Sequence, residues 1–222
     1  MPDYFNEAEL RGLVDKGEHR NAIGGLWDEI GSLQFEFLVA SGLQPGHRYL
    51  DVGCGSLRAG VKLVPYLDPG CYYGIDISPS LLGAGYEQEI KPLGLAERLP
   101  RANLHATPDF DPSPFGVLFE FGMAQSLFTH LPLDEFRRCL TNVGPHFREG
   151  GELFATFFEA PDEVAAFRHP AGKTSYSDRD PFHVSPERLA ASTPSMWRMQ
   201  WIGDWGHPRD QKLARFVRQG PV

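Results

Sequence analysis

Residues 48–60 constrain the fold of this chain more than any other stretch. They read Arg-Tyr-Leu-Asp-Val-Gly-Cys-Gly-Ser-Leu-Arg-Ala-Gly, an apolar run that contains one acid and ends in two closely spaced glycines. This pattern predicts a buried parallel strand, a tight turn and a helix over about residues 57–67. Such a turn directs free backbone N–H groups and the positive end of a helix toward one point, which favours an anionic or nucleotide-like ligand.

The residues around this turn narrow the choice of ligand. A dinucleotide fingerprint requires Gly-x-Gly-x-x-Gly, and Arg58 stands where its last glycine is expected. The sequence also has no Gly-Lys-Ser/Thr phosphate loop. Asp51, two residues before Gly53, offers an acceptor for an ammonium group. Asp76 ends the next strand-like run, residues 71–76, and a carboxylate there can accept from both hydroxyls of a ribose.

Four segments resemble successive motifs of the class I S-adenosylmethionine-dependent methyltransferases. They are residues 50–55, 74–78, 125–131 and 150–153, in the order and spacing of that family. The resemblance runs from about Leu26 to the C-terminus. It implies a Rossmann-like α/β fold with a seven-stranded, mostly parallel sheet of order 3-2-1-4-5-7-6, an antiparallel last pair and helices on both faces. One departure is Leu57, which replaces a third glycine and predicts a differently packed turn.

The resemblance implies S-adenosyl-L-methionine as the cofactor and assigns residues to it. Asp51 is expected on the ammonium side, unless it only shapes the turn, and Asp76 on the ribose. Arg58 meets either the cofactor carboxylate or a surface acid, the second being favoured. Asp109 matches the acid that accepts from the adenine amino group. The remaining positions matched to the cofactor are Gly53, Cys54, Gly55, Ile77, Ser78, Phe110, Gln125 and Ser126.

Two histidines are candidates for a general base, because imidazole accepts a proton near neutral pH. His130 follows the fourth strand at the edge where ligands bind, and family members with Ser-x-Phe-Thr-His-Leu share it. A structural cap on the next helix is the alternative for His130. His183, in a long insertion, is the second candidate. The histidines lack HxxH or HxxxH spacing and do not cluster with the scattered cysteines, so no metal site is predicted.

The apolar spacing places the other elements around these motifs. Helices are expected over residues 23–41, 80–91, from Pro132 onward and over 186–191, with Ser78 as an N-cap. Further strands are expected over residues 71–76, 103–106, 117–121, 152–158, 197–204 and 212–218. We expect one domain over residues 1–222. Within it, residues 1–42 form an N-terminal segment that either lies over the cofactor, as the resemblance implies, or only covers an edge of the sheet. Tyr4, Phe5 and Trp27 are candidate substrate contacts in this segment. Residues 159–186 form an insertion that covers the substrate.

Charge and composition exclude several classes of partner. The formal net charge of −8 disfavours broad nucleic-acid or anionic-membrane surfaces. No apolar run is long enough to span a bilayer, and the acidic start is no signal peptide. We therefore expect a cytoplasmic protein, with its oligomeric state left open by the sequence.

The function favoured by these motifs is methyl transfer to a small molecule, with an oxygen acceptor favoured over nitrogen. The Asn-Pro-Pro-Tyr type of element used on flipped bases is absent, whereas a peptide acceptor stays open. A non-catalytic cofactor-binding relative is the second hypothesis. A nicotinamide-dependent oxidoreductase is the third, and Arg58 argues against it.

Overall fold

A computed structural model describes residues 6–220, and the chain divides into two compact units with the boundary between Val117 and Leu118. Within its described residues, the first unit contains five α-helices and three strands. They are α1 (Glu7–Asp15), α2 (His19–Ala22), α3 (Trp27–Ala40), β1 (Tyr49–Val52), α4 (Gly60–Tyr66), β2 (Tyr72–Asp76), α5 (Pro79–Ala84) and β3 (Leu104–Ala106).

The three strands of the first unit are parallel and in register. Tyr49 lies opposite Tyr72 in the β1–β2 pair, and Gly74 lies opposite Leu104 in the β2–β3 pair. All four residues of β1 are buried, as expected for a strand that runs inside a parallel sheet. The carboxyl ends of β1 and β2 therefore lie side by side, which brings the two predicted acids to one edge.

The second unit is built on one long strand. Its elements are β4 (Phe119–Ala124), α6 (Leu133–Val143), β5 (Phe147–Glu159), β6 (Ala166–Arg168), β7 (Thr174–Tyr176), β8 (His183–Val184), α7 (Pro186–Ser192), β9 (Trp197–Gly203) and β10 (Lys212–Arg218). β5 pairs parallel with β4 and antiparallel with β10, which pairs antiparallel with β9. The aromatic face of α6 packs here, with the Phe136 ring 5.6 Å from that of Phe157.

The strand order of the sheet is β3-β2-β1-β4-β5-β10-β9, with β8 pairing to β5 beside this path. With the short insertion strands β6 to β8 set aside, this is the predicted order 3-2-1-4-5-7-6 with an antiparallel final pair. The predicted fold class is confirmed. In residues 6–220 no helix combines the length and apolar character needed to cross a lipid bilayer.

Several element boundaries differ from the predictions. The fourth strand begins at Phe119 and not at Val117, because Gly116 takes a left-handed conformation and leaves Leu118 44% exposed outside the sheet. Helix α3 begins at Trp27 and not at Ile23, since Gly24 and Gly25 both have positive φ. The fifth strand, expected over residues 152–158, begins at Phe147, and its register against β4 shifts before Glu152.

Two further segments also differ from the predictions. The helix after β2 ends its α-helical part at Ala84 and continues as a π-helical turn, Gly85–Ile90. The insertion of residues 159–186, for which no regular element was predicted, contains the β6–β7 hairpin and the strand β8. The two small strands and β8 give this insertion a fixed backbone, because their ladder hydrogen bonds satisfy groups that a coil would leave to water.

Candidate functional site

The turn after β1 has the backbone that the glycine pattern predicts. Gly53, Gly55 and Leu57 have φ values of 72°, 53° and 66°, so every second residue is left-handed. Leu57 is fully buried, and burial of its side chain offsets the roughly 1 kcal/mol that this conformation costs a residue with a Cβ. Helix α4 consequently begins at Gly60, three residues later than predicted.

Asp51 is the buried acid of this turn. Its side chain is 3% exposed, and the Tyr72 hydroxyl donates to its Oδ2 at 2.6 Å. Burial raises the pKa of Asp51 to about 7, while the Tyr72 hydrogen bond and the charge of Arg58 oppose that rise and the charge of Asp76 adds to it. The ionised carboxylate is thus undercompensated, and a cationic group beside it would stabilise it.

Asp76, at the end of β2, is half-buried and ties two loops together. Its Oδ2 accepts from the Gly55 N–H and its Oδ1 from the Ser78 N–H, both at 2.8 Å. Burial raises its pKa, although these backbone donors work against the rise. Each carboxylate oxygen can accept two hydrogen bonds, so both retain capacity for a hydroxyl of a ligand.

The neighbours of Asp76 include an exposed apolar side chain and a loop from the next strand. Ile77 is 37% exposed, which suits contact with a flat apolar ring. The loop after β3 begins beside Asp76, because the Thr107 N–H donates to the Asp76 carbonyl at 2.8 Å. Asp109 and Phe110 follow in this loop, with the Asp109 N–H donating to Thr107 Oγ1 at 3.2 Å and Phe110 left-handed at φ 55°.

Ser78 has the predicted capping role and also meets the N-terminal segment. Its hydroxyl accepts from the Leu81 N–H at 3.2 Å and donates to Glu7 Oε2 at 2.6 Å. Glu7 Oε1 accepts from the N–H and the hydroxyl of Ser80. Helix α1 is therefore fixed at the carboxyl end of β2, where the resemblance places a cover over the cofactor.

Two further contacts hold the N-terminal segment against the glycine turn. A Cβ added at Gly55 would lie 2.7 Å from Ile23 Cγ2, so only glycine fits there. Arg58 is buried and its Nη1 donates to the carbonyls of Ile23 and Gly25 at 3.4 and 3.0 Å. The surface position expected for Arg58 is wrong, since the residue is 7% exposed and fixes this segment. Tyr4 and Phe5 lie outside the described residues, and Trp27 packs under the Arg20 guanidinium at 4.7 Å.

In the second unit, the predicted residues Gln125 and Ser126 belong to a buried polar network at the end of β4. The Gln125 amide donates to Ser126 Oγ at 2.7 Å, and this hydroxyl donates to Gln211 Oε1 at 3.0 Å. Thr156 accepts from the Ser126 N–H at 2.7 Å and donates to the same Gln211 oxygen at 2.8 Å. Gln125 also lies 3.1 Å from His207 Nε2. The network joins β4, β5 and the loop before β10.

His130 is oriented by an acid from the insertion. Its Nδ1 lies 2.7 Å from Asp180 Oδ1, with 14% of the histidine side chain exposed. A carboxylate on Nδ1 fixes the tautomer in which Nε2 accepts a proton, an arrangement typical of general bases. The alternative role as a helix cap belongs to Pro132, the residue before α6.

His183 is buried with both ring nitrogens bonded inside the second unit. Nε2 lies 2.9 Å from the Val164 carbonyl and Nδ1 2.9 Å from Ser175 Oγ. Since a carbonyl only accepts, Nε2 carries the proton and Nδ1 accepts from Ser175. Ser175 Oγ in turn lies 2.7 Å from His169 Nε2, and His169 Nδ1 lies 3.5 Å from Asp210. Both ring nitrogens of His183 are therefore engaged inside the second unit, which argues against its role as a general base.

The sequence interpretation missed several residues of these arrangements, and Asp180 beside His130 is one of them. Tyr72, Glu7, Thr156 and Gln211 all bind a predicted site residue. Thr156 carries a signal, because it is the one polar residue of the apolar run 153–158. Glu7 and Gln211 come from distant parts of the chain and show no local pattern. Within residues 6–220 no group of three or more His, Cys, Asp or Glu could hold a metal ion.

Comparison with known proteins identifies the fold. No protein-family model matches the chain. Among solved structures, the magnesium protoporphyrin IX methyltransferase of Synechocystis PCC 6803 with bound SAH has a TM-score of 0.62 at 13% identity, over 96% of this chain and 100% of that one. CalS10, an amino pentose methyltransferase from Micromonospora echinaspora with bound SAM, has a TM-score of 0.61 at 18% identity, over 93% and 97%.

A third structure, an O-methyltransferase family protein from Burkholderia thailandensis, has a TM-score of 0.65 at 14% identity and covers 100% of this chain and 65% of its own. The three similarities run over nearly the whole chain and agree with the observed strand order. The chain has the fold of the class I S-adenosylmethionine-dependent methyltransferases.

Proposed function

We propose that this protein is an S-adenosylmethionine-dependent methyltransferase that acts on a small molecule, with an oxygen as the favoured acceptor. The observation that carries the proposal is the pair of acids at the ends of β1 and β2. Asp51 is buried with a pKa raised to about 7, so it favours a cation, and Asp76 retains acceptor capacity on both oxygens. These two preferences match the ammonium group and the ribose of one cofactor molecule.

Different residues of the first unit bind different parts of this cofactor. Asp51 holds the ammonium group and Asp76 the ribose hydroxyls. The backbone of Gly53, Cys54 and Gly55 approaches closely because two of these residues have no side chain. Ile77 and Phe110 pack against the adenine, Asp109 accepts from its amino group, and Ser78 keeps the β2 loop in place. The N-terminal segment covers the bound molecule.

S-adenosylmethionine supplies a methyl group on a positively charged sulfur, an activated donor for in-line displacement. The chain then has to orient the acceptor and remove its proton when that acceptor is a hydroxyl. His130 Nε2 takes this proton, and Asp180 stabilises the imidazolium that results. Gln125 and Ser126 complete the cofactor contacts. The buried network behind them keeps both side chains in one rotamer.

Calorimetric titration tests whether the protein binds the proposed cofactor. Wild-type protein is expected to bind both S-adenosylmethionine and its demethylated product, and to leave a nicotinamide cofactor unbound. Absence of binding at millimolar concentration contradicts the proposal. A different result would support the hypothesis of a non-catalytic cofactor-binding protein. In that case the protein binds the cofactor but methylates no acceptor, and the variants His130→Ala and Asp180→Asn behave as wild type does. A screen of hydroxyl and amine acceptors separates O- from N-methylation.

A further inference from the structure

Two buried histidines of the insertion belong to one continuous line of polar contacts, the histidine network. His183 Nε2 lies 2.9 Å from the Val164 carbonyl, and His183 Nδ1 lies 2.9 Å from Ser175 Oγ. Ser175 Oγ also lies 2.7 Å from His169 Nε2. The network ends at Asp210, whose Oδ2 lies 3.5 Å from His169 Nδ1. Since Ser175 is fully buried and the histidines are 3% and 6% exposed, these groups must satisfy one another.

The histidine network has four contacts, but its neutral side chains supply only three protons. Each neutral imidazole carries one N–H and the serine one O–H, whereas the Val164 carbonyl and the Asp210 carboxylate at the two ends only accept. Counted from the carbonyl, the three protons fill the three contacts of 2.7–2.9 Å. His169 Nδ1 then faces Asp210 with a lone pair, and this contact is longer than an ordinary hydrogen bond. The network therefore has one position for an additional proton.

The surroundings of His169 disfavour a positive charge at that position. Its ring packs on Phe158, with centroids 4.6 Å apart. Asp210 faces Nδ1, but Lys212 Nζ lies 2.6 Å from the Asp210 Oδ1 and already compensates this carboxylate. Burial lowers the pKa of His169, the Asp210 carboxylate opposes that effect, and the charges of His183 and Lys212 add to it.

The histidine network attaches the β6–β7 hairpin to the rest of the second unit. Val164 and His169 flank β6, and Ser175 lies on β7. Their partners lie outside the hairpin, on β8 and in the loop before β10. β7 also holds residues 180–183, since the Tyr176 N–H donates to the Pro181 carbonyl at 2.7 Å. The hairpin thus supports the segment whose carboxylate orients the proposed base.

We propose that the histidine network is a pH-sensitive contact, which holds the β6–β7 hairpin in place while both histidines are neutral and loosens it when the network takes up a proton. In an open hairpin, His169 is in water and its pKa returns to about 6.5. The open state then binds the proton more tightly than the closed state. The closed hairpin is therefore most stable above about pH 6.5 and loses stability as the pH falls toward the lowered pKa. The proposal does not depend on methyl transfer.

Long-range proton–nitrogen NMR spectra of the histidine side chains at pH 7.5 test the proton count. His169 and His183 are both expected in the neutral form with the proton on Nε2. An imidazolium, or a proton on Nδ1 of either ring, would overturn the proposal. This measurement uses the wild-type protein and requires no substitution.

Hydrogen exchange of the full-length protein without cofactor tests the loosening. The reporters are the His169 N–H, which donates to the Lys173 carbonyl at 2.8 Å, and the Tyr176 N–H. After correction for intrinsic exchange rates, their protection should fall several-fold between pH 7.5 and 5.0. The limit is about thirtyfold, the effect of one group of pKa 6.5 that is protonated only in the open state. Equal protection at the two pH values, or greater protection at pH 5.0, would overturn the proposal.

Three variants separate titration of the network from its structural role. His169→Gln keeps an N–H donor for Ser175 but cannot titrate, so the pH dependence should disappear even where protection is lower at both pH values. Lys212→Met should reduce the pH dependence, because Asp210 is then free to stabilise the proton. His146→Gln changes a histidine of the same unit outside the network and should behave as wild type does. An unchanged pH dependence in His169→Gln or Lys212→Met, or its loss in His146→Gln, would overturn the proposal.

Discussion

Two buried polar sites, one in each unit, are compensated to different degrees. In the first unit, Asp51 receives one hydrogen bond and the distant help of Arg58, and its pKa still rises to about 7. In the second unit, Thr156, Gln211 and Ser175 are fully buried or nearly so, and each bonds to two partners. An undercompensated charge indicates a place for a ligand, whereas a satisfied network indicates a structural role.

The largest expected effect comes from Asp51→Asn. This change removes the charge that we assign to the cofactor ammonium and should weaken S-adenosylmethionine binding by at least about 100-fold, the loss typical of one partner of a buried ion pair. Asp68→Asn, an exposed acid of the same unit, is the control and should bind as wild type does. Calorimetry measures both, and equal affinities of wild type and Asp51→Asn would contradict the comparison.

The same variant should be more stable than wild type at high pH. Between about pH 4 and 7 the folded state binds a proton on Asp51 that the unfolded state has released, so stability falls as the pH rises through that window. Above pH 7, the ionised Asp51 carboxylate destabilises the folded state by on the order of 4 kcal/mol, given a rise of its pKa from 3.8 to about 7. Thermal unfolding without cofactor should give a higher Tm for Asp51→Asn at pH 8 and little difference at pH 4. The reverse order would show that the charge is well compensated.

In the second unit, the removal of a buried polar group should destabilise the protein, whereas Asp51→Asn should stabilise it at high pH. Thr156→Val keeps the shape of the side chain but leaves the Ser126 N–H and the Gln211 amide oxygen each short of a partner. We expect a loss of about 1–3 kcal/mol in urea unfolding. Thr141→Val removes a comparable bond on an exposed helix face and should cost about 0.5 kcal/mol or less. A stabilised Thr156→Val would end the distinction between the two units.

The smallest expected effect concerns the attachment of α1. Burial raises the pKa of Glu7, but hydrogen bonds from Ser78 and Ser80 outweigh it and lower the pKa overall. Its contribution is therefore present above the ordinary pKa of a glutamate and disappears as the pH falls through the lowered value. Glu7→Gln should speed hydrogen exchange in α1 at pH 7, and Glu9→Gln, on the same helix, should not. Equal rates in wild type and Glu7→Gln would show that this contact does not hold the helix.

The sequence was sufficient for the parts of the fold set by local pattern. The two acids and the strand–turn–helix unit follow from apolar runs punctuated by glycine, whereas the order of the strands follows from the family resemblance. Ser78 takes the N-cap position that its place before Pro79 indicates. Leu57 follows the backbone required by the turn, because tertiary burial outweighs a local conformational preference.

Other features depend on contacts between distant residues and left no local trace. The burial of Arg58 arises from packing against carbonyls about thirty residues earlier, so its charge alone suggested a surface position. The carboxylate of Asp180 reaches His130 across fifty residues, and the His183 bonds come from two other strands and loops of the insertion. The start of β4 was misplaced because Val117 and Leu118 continue the apolar run beyond the sheet.

A crystal structure of the protein with S-adenosylhomocysteine would show whether the two acids bind the cofactor as proposed. We expect the amino group of the ligand to lie within about 3 Å of the Asp51 carboxylate, and Asp76 to accept from both ribose hydroxyls. A ligand bound with its amino group away from Asp51, or with its ribose paired to another residue, would contradict the proposal.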